Sequence, residues 1–191
     1  MFSLFSLSRF GREVQSGRGK RQPCRPRLEV LEDRNVLAFW TTVSPMGTAR
    51  KLLAGTLGSN GLIYAIGGAD TAFTPLATVE AYTTGSDFWS PRASLNTARF
   101  DVAAASGPDG RIYAIGGNTG AGTTPTVESY SPTVNKWTFV APMPTARDSL
   151  AGATGSDGQI YAIGGFATGV GASNTVRLTT RTPTPGRRGP L

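Results

Sequence analysis

Histidine is absent from this chain, and its absence removes most of the usual catalytic devices. A Ser–His or Cys–His nucleophile pair cannot be assembled. Zinc sites of His and Cys are excluded as well. Cysteine is nearly missing too. Cys24 is the lone thiol, so no intrachain disulfide can form and cysteine usage carries no redox signal. No run approaches the ~18 apolar residues that a membrane span needs. Paired carboxylates are the one catalytic device left open. Asp109 and Asp157, however, fall in turns, and Glu80 and Glu128 recur at one position of a repeat.

Charge is scarce where the chain looks folded. The net charge of +7 would by itself suggest a polyanion partner. Residues 1–37 hold eight basic and four acidic residues, and residues 177–191 hold four arginines and no acid. Residues 38–176 hold seven basic and eight acidic residues, so the excess lies entirely in the tails. Such tails read as solvated basic segments, and no nucleic-acid partner is expected. Gly17-Arg18-Gly19-Lys20-Arg21 lacks the spacing of a phosphate-binding loop. Met1 to Ser8 is too short for a full signal-peptide apolar region.

What the chain has in abundance is glycine, 25 residues of 191, and much of it recurs in pattern. Leu62-Ile63-Tyr64-Ala65-Ile66-Gly67-Gly68 returns as Arg111-Ile112-Tyr113-Ala114-Ile115-Gly116-Gly117 and as Gln159-Ile160-Tyr161-Ala162-Ile163-Gly164-Gly165. Self-similarity at this period points to a repeat architecture. The register is strict. Trp40, Trp89 and Trp137 are each followed ten residues later by Arg50, Arg99 and Arg147, and fourteen residues after that by Tyr64, Tyr113 and Tyr161. Length varies only after the glycine pair: Gly68 to Val79 is 11 residues and Gly117 to Val127 is 10. Constant spacing marks packed strands, and variable spacing marks surface loops.

The local signals are those of hairpins. Phe39 to Val43 reads as a strand closed by Ser44-Pro45. Residues 52–57 and 62–66 read as strands joined at Asn60-Gly61, a pair suited to a tight turn. Asp109-Gly110 and Asp157-Gly158 repeat that turn. Thr78 to Tyr82 and Thr126 to Tyr130 alternate as half-buried strands. The alanine-rich strands, with their small side chains, suit close packing, and each Trp is expected to pack between sheets.

Glycine pair, Val-Glu-x-Tyr and tryptophan together resemble the Kelch repeat. The matching residues are Val79-Glu80-Ala81-Tyr82 to Trp89, and Val127-Glu128-Ser129-Tyr130 to Trp137. The resemblance implies an all-β fold of Kelch-type β-propeller blades, each of four antiparallel strands. It divides the chain into a basic N-terminal segment, residues 1–38, the repeats, residues 39–180, and a basic Pro/Gly tail, residues 181–191. The units run about 39–88, 89–136 and 137–180. The third departs from the pattern late: Val176 is in register, but Arg177, Thr179 and Gly186 stand at the glutamate, tyrosine and tryptophan positions. Propellers have about four to eight blades. Three units therefore suggest an incomplete propeller: a truncated or frame-shifted piece of a larger one, or a chain that self-associates through open blade edges. The Trp40 strand is a candidate to complete the third blade.

The N-terminal segment carries a second resemblance. Leu28, Glu29, Leu31, Glu32 and Arg34, followed by Ala38, look like a short motif near the N-termini of planctomycete extracellular proteins. It implies export, and a location outside the cell or at its surface.

The Kelch resemblance implies a non-catalytic module that binds a protein or glycan through loops on one face. Those loops join adjacent blades or follow the glycine pair. The candidate contacts are Lys51, Phe100 and Asp148, which differ although each directly follows the recurring arginine, together with Phe73 and Phe166 in the post-glycine loops. Arg50, Arg99 and Arg147 either reach a ligand carboxylate or bridge blade backbones. No cofactor or metal is expected. Copper-oxidase propellers, which resemble galactose oxidase, require histidine ligands. A hydrolase-like Ser-x-Asp-x-Gly-x-Thr-Trp turn does not occur.

Overall fold

The computed structural model describes residues 40–178, with side chains through residue 175. The expected N-terminal targeting segment and the tail at 181–191 lie outside the described residues. The chain divides into two units, Met1–Trp40 and Thr41–Leu191, and every strand lies in the second. Among the described residues there is no helix, and hence none long and apolar enough to cross a membrane.

The strands form antiparallel blades in chain order. The first blade is β1 (Ala54–Leu57), β2 (Ile63–Ile66), β3 (Val79–Thr83) and β4 (Phe88–Arg92). The second is β5 (Ala103–Ser106), β6 (Ile112–Ile115), β7 (Val127–Ser131) and β8 (Lys136–Val140). The third holds β9 (Ala151–Thr154), β10 (Ile160–Ile163) and β13 (Val176–Leu178), and between β10 and β13 a small ribbon pairs β11 (Phe166–Ala167) with β12 (Gly171–Ala172). The alanine-rich strands β1, β5 and β9 lie side by side, as a crowded axis requires. The sheets do not close into a ring.

Each blade is held to the next by side chains of alternating direction. Ala54, Tyr64, Ile66, Val79 and Ala81 of the first blade pack on Val102, Ile112, Ala114, Tyr130 and Trp137 of the second. Ala103, Ala105, Ile115 and Val127 repeat the contact against Leu150, Ile160 and Ala162 of the third. The Tyr64 and Tyr130 rings meet edge to face at 5.7 Å, and Trp137 lies 5.0 Å beyond Tyr130. The Trp137 indole N–H donates to the Ala93 carbonyl at 2.9 Å, as Trp89 does to Ser44.

Four expectations need correction. Thr41 to Val43 forms no strand, and Trp40 is fully exposed rather than packed between sheets. Among the described residues no strand pairs with the outer edge of β13, so this segment does not complete the third blade within its own chain. The first inner strand also begins later than residue 52, at Ala54. Leu52, Asp101 and Ser149, at equivalent positions, have φ of 57°, 49° and 53°, and this left-handed step stops the ladder short.

Trp137 anchors the junction of the first two blades, with its ring and its N–H both satisfied. Trp137→Ala is expected to destabilise the fold by about 3–5 kcal/mol. Chemical denaturation read by tyrosine and tryptophan fluorescence measures this; an unchanged midpoint would contradict the packing.

Candidate binding face

The strand directions bring two kinds of loop to one end. β2 ends and β3 begins at the glycine pair, and β4 ends and β5 begins at that same end. The post-glycine loops and the blade-to-blade crossovers therefore share a face.

Arginine builds the frame under it. The Arg99 guanidinium donates to the Gly116 and Thr126 carbonyls, each at 3.0 Å, and pairs with Glu128. Both side chains are completely buried. Burial lowers the Arg99 pKa, and the Glu128 carboxylate pushes back. Glu128 in turn accepts the backbone N–H groups of Asn96 and Thr97, at 2.8 and 3.1 Å. Arg50 repeats the arrangement with Gly67, Thr78 and Glu80. Arg147 donates to the carbonyls of Gly164 and Thr175. In the register of Glu80 and Glu128 the third blade carries Arg177, opposite Ala162.

The three arginines thus bridge blade backbones from the interior. As surface groups reaching for a ligand carboxylate they are corrected: with the guanidinium committed to carbonyls and no side-chain exposure at Arg50 or Arg99, no surface remains to act from. The glycine pair belongs to the same device. A Cβ on Gly67 would lie 2.6 Å from the Arg99 carbonyl, and one on Gly116 2.4 Å from that of Arg147. Only glycine admits that approach at φ of 62°.

One residue further on, the side chains differ from blade to blade. Lys51, Phe100 and Asp148 each form a backbone bridge to the post-glycine loop, with Ala69, Asn118 and Phe166. The Lys51 ammonium sits 3.2 Å from the centre of the Phe73 ring. Phe73 has φ of 63°, a conformation bulky residues rarely adopt. Its loop holds it there: Phe73 N–H donates to the Asp70 carbonyl, and the Asp70 carboxylate accepts Thr74 N–H at 2.8 Å. That bond holds the Asp70 carboxyl below its usual range. Phe73 and Phe166 are both exposed. The face is continuous, since Gly120 lies against Pro75 and the Thr123 and Thr168 hydroxyls meet at 3.2 Å.

The structure adds two residues that sequence reasoning missed. Asn118 donates to the buried Asp148 carboxylate at 3.0 Å. Asp101 lies beside Asp148, and desolvation, followed by the Asp148 charge, raises its pKa. Their positions beside Phe100 and the glycine pair were the available signal. Among the described residues no cluster of three or more Cys, Asp or Glu could hold a metal.

These observations bear directly on the family. Residues 103–144 match the Kelch motif. The matched stretch runs from β5 through β8 to Pro144, which is the whole second blade and the start of the next crossover. No curated protein matches the chain.

Two outcomes test this geometry. Arg99→Leu strands Glu128 in the interior and is expected to cost about 3–5 kcal/mol in chemical denaturation. Arg99→Lys restores only part, because one ammonium cannot span two carbonyls and a carboxylate; full recovery would refute the bridging role. The second concerns Asp101. A carboxyl whose pKa is raised on folding destabilises the fold once pH exceeds its folded pKa, and not below its unfolded pKa. Asp101→Asn is therefore expected to raise Tm at pH 7, with the gain shrinking as pH falls through the carboxylate range. A gain independent of pH would remove the charge from the explanation.

Proposed function

We propose that the chain is a non-catalytic Kelch binding module that takes a protein partner on the face where the glycine-pair loops and crossovers meet. One observation carries the reading. A single backbone slot, repeated in all three blades by the same bridge, carries Lys51, Phe100 and Asp148. The residues that hold the blades repeat, and the side chains next to them do not: Lys51 and Phe100 are half-buried, and Asp148 is buried against Asn118. Variation on a constant frame is what selective recognition needs. The exposed Phe73 and Phe166 supply apolar anchors, and aromatic residues dominate binding energy at protein interfaces.

A protein is favoured over a glycan because the slot mixes a cation, an aromatic ring and an acid across neighbouring blades. The open blade edges make self-association part of the same reading. Placement at the cell surface rests on the motif at Leu28 to Arg34. The reading as a piece of a larger propeller rests on the loss of pattern after Val176.

The face is tested with peptides selected from a displayed library against the whole chain. Phe73→Ala with Phe166→Ala is expected to weaken the selected peptides at least tenfold, about 1.4 kcal/mol. Thr133→Ala, at the opposite end of the second blade, leaves their affinity unchanged. Peptides that respond to Thr133 and not to the phenylalanines would move the site to the other face. Selective retention of oligosaccharides, with no peptide enriched, would replace the protein partner by a glycan.

A further inference from the structure

The two ends of the arc are the two halves of one interface that the chain already forms twice. Ile112 and Ile160, which face the preceding blade, are 0% and 4% exposed. Their counterpart Ile63, with no blade before it among the described residues, is 38% exposed. Ile66 and Ile115 face the following blade at 0% and 3%, whereas their counterpart Ile163 is 41% exposed. The glycines tell the same story. Gly67 and Gly116 are closed off by the arginine carbonyl of the next blade, while a Cβ on Gly164 would meet nothing nearer than the Ser173 carbonyl at 3.4 Å.

The backbone bonds across the junction also come in repeating sets. Gly68 N–H donates to the Arg99 carbonyl and Gly117 N–H to that of Arg147, each at 2.9 Å. Asp101 N–H donates to Leu52 and Ser149 N–H to Asp101. The next members of these series are Gly165 to an Arg50 carbonyl, and a Leu52 N–H to Ser149. Both pair the third blade of one chain with the first blade of another.

The missing strand fits the same junction. β13 is the outer edge of its sheet among the described residues, where β3 and β7 each carry a fourth strand. Trp40-Thr41-Thr42-Val43 reads like Trp137-Thr138-Phe139-Val140 of β8, and Pro45-Met46 with Thr48-Ala49-Arg50 reads like Pro142-Met143 with Thr145-Ala146-Arg147. This segment has the sequence of a fourth strand followed by an ordinary crossover, although it forms no strand in the single chain. A crossover leads into the blade after the one its strand completes. The strand leading into the first blade therefore belongs to a third blade, and the arc places that blade in a second copy.

We propose that two copies of this chain close into a six-bladed ring, each giving its Trp40–Val43 strand to the outer edge of the other's third blade. Head-to-tail contacts make rings when the rotation closes. Copies of a three-blade chain give blades in multiples of three, and six is the one such number within the range of about four to eight that propellers adopt.

Sedimentation equilibrium of the full chain is expected to give twice the chain mass of 20.0 kDa. Ile163→Glu, on a surface open in the single chain, is expected to give the mass of one chain. Crosslinking fixes the geometry. The Thr56 and Ser106 hydroxyls face each other at 3.3 Å across the first junction, and the corresponding pair at the ring contact is Ala153 with Leu57 of the other copy. In a Cys24→Ser background, Ala153→Cys mixed with Leu57→Cys is expected to form a two-chain disulfide, and neither variant alone does so. Thr56→Cys with Ser106→Cys provides the intrachain control. With both Ala153→Cys and Leu57→Cys in one chain, oxidation stops at two chains. A one-chain mass for the unaltered protein, a ladder of larger species, or dimers from Ala153→Cys alone would each overturn the ring; the first would assign the missing blades to another chain.

Discussion

The buried arginine of each crossover is the constraint from which the other repeated features follow. A guanidinium fully removed from water needs its hydrogen bonds and its countercharge in place. Arg99 finds them in the carbonyls of Gly116 and Thr126 and in Glu128. Glu128 is then held by the crossover's own N–H groups at Asn96 and Thr97. The Arg99 carbonyl in turn accepts Gly68 N–H from the preceding blade and lies only 2.6 Å from where a Cβ on Gly67 would be. Three separate signals in the sequence, the arginine, the Val-Glu pair and the double glycine, are parts of one bonded unit. That unit locks a blade internally and fastens it to its neighbour.

The same lock explains why variation appears where it does. The residue after each arginine contributes its backbone to a bridge that does not depend on its side chain. The side chain can therefore differ: Lys51 stacks on Phe73, Phe100 is half-buried, and Asp148 is buried against Asn118. The post-glycine loops have the same freedom, since the bridge at Ala69, Asn118 or Phe166 fixes where each loop starts and leaves its length open. Structure and recognition are separated by one residue along the chain.

Strand number, order and hairpin positions in the first two blades were legible because each rests on local chemistry: Asn60-Gly61 and Asp109-Gly110 at turns, and alternation in Val79–Thr83 and Val127–Ser131. The β11–β12 ribbon after the third glycine pair was not, since its residues read as a loop. The late start of the inner strands was not legible. Leu52 has no sequence feature that announces a positive φ, and only comparison with Asp101 and Ser149 reveals the step. The arginines were recognisable as a repeat, but their burial depends on Glu80 and Glu128 arriving from about 30 residues away. Trp40 misled in the opposite way. It has the spacing of a packed residue, yet packing needs a blade that its own chain does not place around it. Asn118 and Asp101 were missed because their significance lies in their nearness to Asp148, which no spacing rule encodes.

Ring closure and recognition constrain each other. In a two-copy ring each loop set would appear twice, on opposite sides of the axis, so Phe73 of one copy would face the same environment as Phe73 of the other. A partner reading the face as a whole would then see two-fold symmetry, and a dimeric partner could engage both halves at once, with the second contact strengthened by proximity rather than by new bonds. A partner reading a single junction would meet a different choice. Within the chain, one junction sets Lys51 beside Phe100 and the next sets Phe100 beside Asp148, whereas the junction between copies would set Asp148 beside Lys51. Only that last junction would place an acid and a base on opposite sides of one seam.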